Sequence, residues 1–132
     1  MRMSIAAYKK LKPSKYKSIK VSDKNGIKKD SIKEYRRGVY LREQEKEWKI
    51  CNLQEQVTFV LQEKFIDSSG KLERGIKYIA DYVYFDNDPE SRTCGKNIIE
   101  DVKSVITKKN KDYIIKRKLL KKRYPEYIFK EF

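Results

Sequence analysis

Apolar and polar positions along the chain change period several times, and each change marks an element. From "DSIKEYRRGVYLREQEKEWK", Ile32, Tyr35 and Val39 recur at helical spacing behind Ser31, whose partner three residues on is Glu34, so a helix is predicted over 31–47. Gly38 costs stability inside such a helix and suggests the close approach of a neighbouring backbone. Then "QVTFVLQEKFI", "ERGIKYIADYVYFD" and "NIIEDVKSV", rich in β-branched and aromatic residues and separated by "DSSGK" and a polar loop at 86–96, predict three successive strands in an antiparallel meander. A second helix is predicted over "DYIIKRKLLKKRY", with a stripe of Tyr113, Arg117, Leu120 and Tyr124 and a stop at Pro125, followed by a last strand in "EYIFKEF". The order is α, β, β, β, α, β without an internal repeat, an α/β (α+β) class with a central mixed sheet flanked by helices.

At 132 residues the chain is long enough for one core and too short for two. Thirty-three Lys and Arg against nineteen Asp and Glu leave a net charge of +14, and its placement is uneven. Residues 1–30 carry ten basic and two acidic side chains, 31–103 thirteen and fourteen, and 104–132 ten and three. Positive charge at both ends suits a polyanion, because Lys and Arg that neutralise phosphates release condensed counterions. A solvated, solubilising shell is the plainer reading of the same charge. Residues 1–24, lysine-rich and broken by Pro13, show no sustained period and are expected to form a flexible basic arm ahead of a domain at 25–132.

No apolar run approaches a membrane span and the N-terminal apolar stretch is too short for a secretory signal, so a cytoplasmic protein without a membrane partner is expected. Cys51 and Cys94 lack paired spacing and the chain contains no histidine, which argues against zinc and for reduced structural thiols. The missing histidine also excludes Ser-His-Asp and Cys-His catalysis. Any chemistry must use carboxylates, lysine and metal.

Carboxylates do occur on the most apolar segments. Alternation puts Asp101 and Lys103 on one strand face and Glu100 with Val102 on the other, while Asp81 shares its face with Ile79 and Val83. In the right register Asp81 and Asp101 would converge, and two such charges repel unless a cation neutralises them. Mg²⁺ does so with one or two carboxylates, waters and substrate phosphate. A pair of edge-of-sheet salt bridges, Asp101 with Lys103 for example, is the plainer alternative.

A helical Glu, an Asp on an apolar strand, then [DE]-x-K ending the next strand resembles the PD-(D/E)xK nuclease superfamily with its αβββαβ, restriction-endonuclease-like core. More closely, "DSIKEYRR", "LQEQVTFVL", "YIADYVYF", "IIEDVKS" and "YIIKRKLLKKRYPEYIFKEF" look like a family of small phage and prophage proteins reading SKxEARR, LxxQPxF, YxADFxY, VVEDVKG and YxxKxKLFxxxYPxIxFxEV. The resemblance covers about residues 26–132; Lys29, Tyr35, Val57 and Ser104 depart from it.

It implies a Mg²⁺-dependent endonuclease (Mn²⁺ as a substitute) acting on DNA, with branched or recombination intermediates such as Holliday junctions as one version of the substrate. Asp81 and Asp101 become metal ligands, Glu34 completes the site, the Val102 carbonyl reaches the metal, and Lys103 assists the attacking water. Glu34 equally fits a purely structural capping box with Ser31. Glu100, pointing away, is expected to be structural. Lys116 and Lys118 match lysines of the family and, with the flanking Lys108 and Lys109, would hold DNA phosphates, or they form a solvated basic face. Branched substrates would call for a homodimer, since symmetric cuts need two sites. The alternative is a non-catalytic nucleic-acid-binding protein that keeps the fold.

Overall fold

The structure is a computed structural model that describes residues 21–22, 28–29 and 32–132. Most of the expected basic arm, and Ser31 of the expected capping box, lie outside the described residues. The elements run β1 (Val21–Ser22), β2 (Lys28–Lys29), α1 (Ile32–Lys46), β3 (Ile50–Gln62), β4 (Phe65–Ile66), β5 (Leu72–Glu73), β6 (Ile76–Asp86), β7 (Asn97–Asp101), α2 (Val105–Lys108), α3 (Lys111–Arg123) and β8 (Tyr127–Glu131). Four strands form one sheet in the order β3-β6-β7-β8. Its first three pair antiparallel, as the meander predicted, and β8 joins β7 in parallel after the α3 crossover, which makes the sheet mixed. Helices flank it, so the class is α+β.

Successive β7 residues show the two faces. Ile98 packs with Leu41 of α1, Ile50, Tyr82, Tyr84 and Val102, whereas Ile99 packs with Tyr113 and Leu120 of α3, Phe59, Leu61, Tyr78, Ala80 and Val83. The stripe read on the second helix is therefore real: Tyr113 and Leu120 are buried, Arg117 pairs with Glu131 at 3.0 Å, and the Tyr124 hydroxyl donates to the Val60 carbonyl at 2.8 Å. Asn110 caps α3, its side chain accepting from the Asp112 and Tyr113 amides. Tight docking of α1 rests on Gly38, where a Cβ would lie 2.5 Å from the Tyr82 hydroxyl. Thus the neighbour that requires glycine is a side chain, where a backbone was expected.

Three boundaries differ from the sequence reading. The first long strand starts at Ile50, six residues early, because Asn52 and Gln56 adopt left-handed φ (57° and 53°) and disguise the alternation. Phe65–Ile66 and Leu72–Glu73 leave the main sheet to form a separate two-stranded ribbon. The strand expected over 97–105 ends at Asp101, and Ser104, which departs from the family's glycine, caps α2 by accepting from the Thr107 amide at 3.1 Å.

Candidate metal and phosphate site

Antiparallel pairing of Tyr82 with Glu100 sets Asp81 opposite Asp101 across β6 and β7. Both are buried, Asp101 completely, and both reach one ammonium: Lys103 Nζ stands 3.0 Å from Asp101 Oδ1 and 4.0 Å from Asp81 Oδ2. Asp81, Asp101 and Lys103 are thus brought together, and the proposed plain alternative, an Asp101–Lys103 salt bridge, is present in the same cluster.

Strict alternation does not account for where Asp81 sits. On β3, Leu53 packs on the α1 side and Val57, four residues on, packs on the α3 side; on β6, Ala80 is on the α3 side and Tyr82 on the α1 side. Both strands exchange faces at the rung formed by Gln56 and Asp81, and the left-handed φ of Gln56 (53°) is the local cause. Of the two residues expected to share a face with Asp81, Val83 is buried and Ile79 is 55% exposed. Asp81 Oδ2 accepts from the Val102 amide at 2.8 Å, and Oδ1 faces the Gln56 amide nitrogen at 3.5 Å. Val102 is tied to the site through its N–H, while the expectation concerned its carbonyl.

Asp101 accepts a hydrogen bond from the Tyr78 hydroxyl on Oδ2, and its buried Oδ1 pairs with the Lys103 ammonium at 3.0 Å. Burial raises its pKa to about 6, against the opposing pull of Lys103. For Lys103, burial acts to lower the pKa, yet the charges of Asp101 and then Asp81 outweigh it and hold the ammonium above its ordinary range, with Glu34 adding to the same effect.

Glu34, 2% exposed, lies in the first turn of α1, and the Tyr82 hydroxyl donates to its carbonyl at 2.8 Å. Among the described residues, no three His, Cys, Asp or Glu side chains are grouped so as to hold a metal ion on their own. Two carboxylates, completed by water and phosphate, are nevertheless a sufficient protein contribution for Mg²⁺. Two buried carboxylates that share a single ammonium leave one negative charge without a partner cation, which fits such an ion.

Glu100 points to the opposite face, as expected. Arg37 clamps it by donating from Nε to Oε1 and from Nη2 to Oε2, Tyr84 donates to Oε2 at 2.7 Å, and Arg37 lies over the Phe132 ring at 3.9 Å. This knot joins α1 to β7 and fixes the end of the strand that carries Asp101.

The chain belongs to the family described as "Protein of unknown function (DUF1064)", which it matches over residues 13–130. No curated protein and no solved structure matches it. The DUF1064 match takes in Glu34, Asp81, Asp101, Lys103 and the basic residues around them.

Those basic residues divide into two groups. Lys33 Nζ donates to the Lys103 carbonyl at 3.2 Å, and burial together with the positive charge of Lys108 lowers the Lys33 pKa. Lys33 and Lys108 are thus drawn to the edge of the site, and among the described residues neither has a salt bridge. Lys109, Lys116 and Lys118 are exposed on α2's end and on α3. Sequence reasoning missed Lys33, Arg37, Gln56, Tyr78 and Tyr84. All five stand inside the motifs given above, but nothing in their spacing announces their contacts.

Proposed function

We propose that this chain is a metal-dependent endodeoxyribonuclease that hydrolyses phosphodiester bonds, acting on branched or recombination intermediates of DNA in a phage or prophage within the bacterial cytoplasm. The observation that carries the reading is the meeting of the buried Asp81 and Asp101 with Lys103 at the end of β7, two carboxylates against one ammonium. The resemblance to PD-(D/E)xK nucleases, which place an Asp and a [DE]-x-K on adjoining strands, supports it.

Asp81 and Asp101 would hold the ion, Glu34 would add negative charge near Lys103 without being a third grouped ligand, and the resemblance adds the Val102 carbonyl. Mg²⁺, or Mn²⁺ in its place, would supply the Lewis acidity that makes water nucleophilic near neutral pH and offset charge on the phosphate. Lys103 orients the attacking water and balances negative charge as it grows. The water oxygen bonds to phosphorus, its proton passes to solvent, and the bond to the leaving deoxyribose oxygen breaks; that oxygen takes up a proton, so one end keeps the phosphate and the other a hydroxyl. Lys33, Lys108, Lys109, Lys116 and Lys118 bind flanking phosphates and carry no sequence information. Symmetric cutting of a four-way junction would pair two copies of the chain.

Cleavage of labelled linear, single-stranded and four-way-junction DNA with Mg²⁺ or Mn²⁺ tests the proposal. Wild type is expected to cut at least one substrate, and Asp81→Ala and Lys103→Ala are expected to lose a hundredfold or more, about 3 kcal/mol of transition-state stabilisation. Variants that cut as well as wild type, or a wild type that binds DNA without cutting, would replace the nuclease reading with a non-catalytic binding protein.

A further inference from the structure

β3 and β6 run on past the end of β7, where the site lies, and finish in the β4–β5 ribbon. At the root of that ribbon is a half-open cleft of about 400 Å³, within the range of small-ligand pockets. Val60 and Leu72 give it aliphatic walls, Lys64, Arg74 and Lys77 ring it with positive charge against the single carboxylate of Glu63, and Gly75 lets two backbone segments approach. A Cβ at Gly75 would lie 2.8 Å from the Gln62 carbonyl. Leu72 is 59% exposed and, with Phe65 and Ile66 on the paired strand, gives the ribbon an exposed apolar surface beside the cleft.

We propose that this cleft binds one unpaired nucleotide of the DNA strand, its base against Val60 and Leu72 and its phosphate among Lys64, Arg74 and Lys77. The identity of the ligand rests on the nuclease reading above. Val60 pairs with Lys77 four residues along from the Gln56–Asp81 rung, which puts the cleft about 13 Å from the candidate metal site along the strands. Val60 and Lys77 alternate with Phe59, Leu61 and Tyr78, so the cleft opens on the sheet face opposite Tyr78 and Asp101. A DNA strand reaching it from the site would pass over the free end of β7 and cover about four or more nucleotides at roughly 3.4 Å each. An aliphatic wall can engage a base only when the base leaves its stack, so the cleft would favour junctions, flaps and single strands over an intact duplex.

Binding measured without cleavage keeps this separate from the nuclease reading. Fluorescence anisotropy in EDTA compares a short labelled oligothymidylate with a fully paired duplex for wild type and Leu72→Ser, a neutral change at an exposed position. Leu72→Ser is expected to weaken the oligothymidylate about tenfold and leave duplex affinity unchanged. Equal losses on both, no loss on either, or no oligothymidylate binding by wild type would overturn the proposal. So would a dimer of wild type, seen by sedimentation, that Leu72→Ser dissolves, because a second copy would then cover the surface. An inactive enzyme that still shows the selective loss would defeat the nuclease reading and leave the nucleotide site standing.

Discussion

At the scale of the residue, Asp101 is the group whose surroundings conflict with its charge. The fold buries it and raises its pKa from 3.8 to about 6, a difference of about 3 kcal/mol. Because the folded pKa is raised, the folded protein binds the proton more readily than the unfolded chain between those values, so stability falls as pH rises through about 6. Asp101→Asn removes the charge and keeps a partner for Tyr78. In EDTA, urea unfolding should find that the stability of wild type relative to the Asn variant falls as pH rises from about 4.5 to about 7.5, whatever the Asn variant loses with the Lys103 ion pair; a difference independent of pH would contradict this. The sequence announced Asp81, Asp101 and Lys103 through strand-borne charge and spacing. It could not announce Tyr78 or Lys33, since a tyrosine on a strand and a lysine on a basic helix have their default uses in packing and solvation.

Among the elements, helix and strand periods revealed the order of the core because each face of the sheet is buried by one helix. What alternation hid was the exchange of faces at Gln56 and Asp81, since one non-glycine residue with φ of 53° carries no compositional mark. For the same reason the start of β3 was read six residues late. The α1–sheet contact gives the sharpest test at this scale. Gly38→Ala would normally favour a helix, but here the added carbon meets the Tyr82 hydroxyl at 2.5 Å, and a loss of about 1–3 kcal/mol is expected. Combined with Tyr82→Phe, the cost of Gly38→Ala should shrink, because the clashing oxygen is gone. Thermal unfolding of the four proteins of this cycle checks it, and additive losses would contradict the packing described.

Along the whole chain positive charge concentrates in residues 1–30 and 104–132, while 31–103 is close to neutral. Lys33 and Lys108 lie nearest the site, so replacing both with alanine should lower the slope of log affinity against log salt by about two on duplex DNA and weaken all sequences alike. Anisotropy titrations over a range of salt provide that slope; an unchanged slope would remove these two residues from the DNA path. The charge balance predicted a polyanion from composition alone, but only the fold shows which lysines converge with the carboxylates.

The central claim is that carboxylates from two strands share one divalent cation. Mn²⁺ titration followed by electron paramagnetic resonance tests it most directly, without DNA and without turnover. Wild type should bind the ion, Asp81→Asn and Asp101→Asn should each weaken binding at least tenfold, and Lys103→Ala, by withdrawing the ammonium 3.0 Å from Asp101, should hold it as tightly or more tightly. Binding that survives both carboxylate substitutions, or none in wild type, would contradict the account.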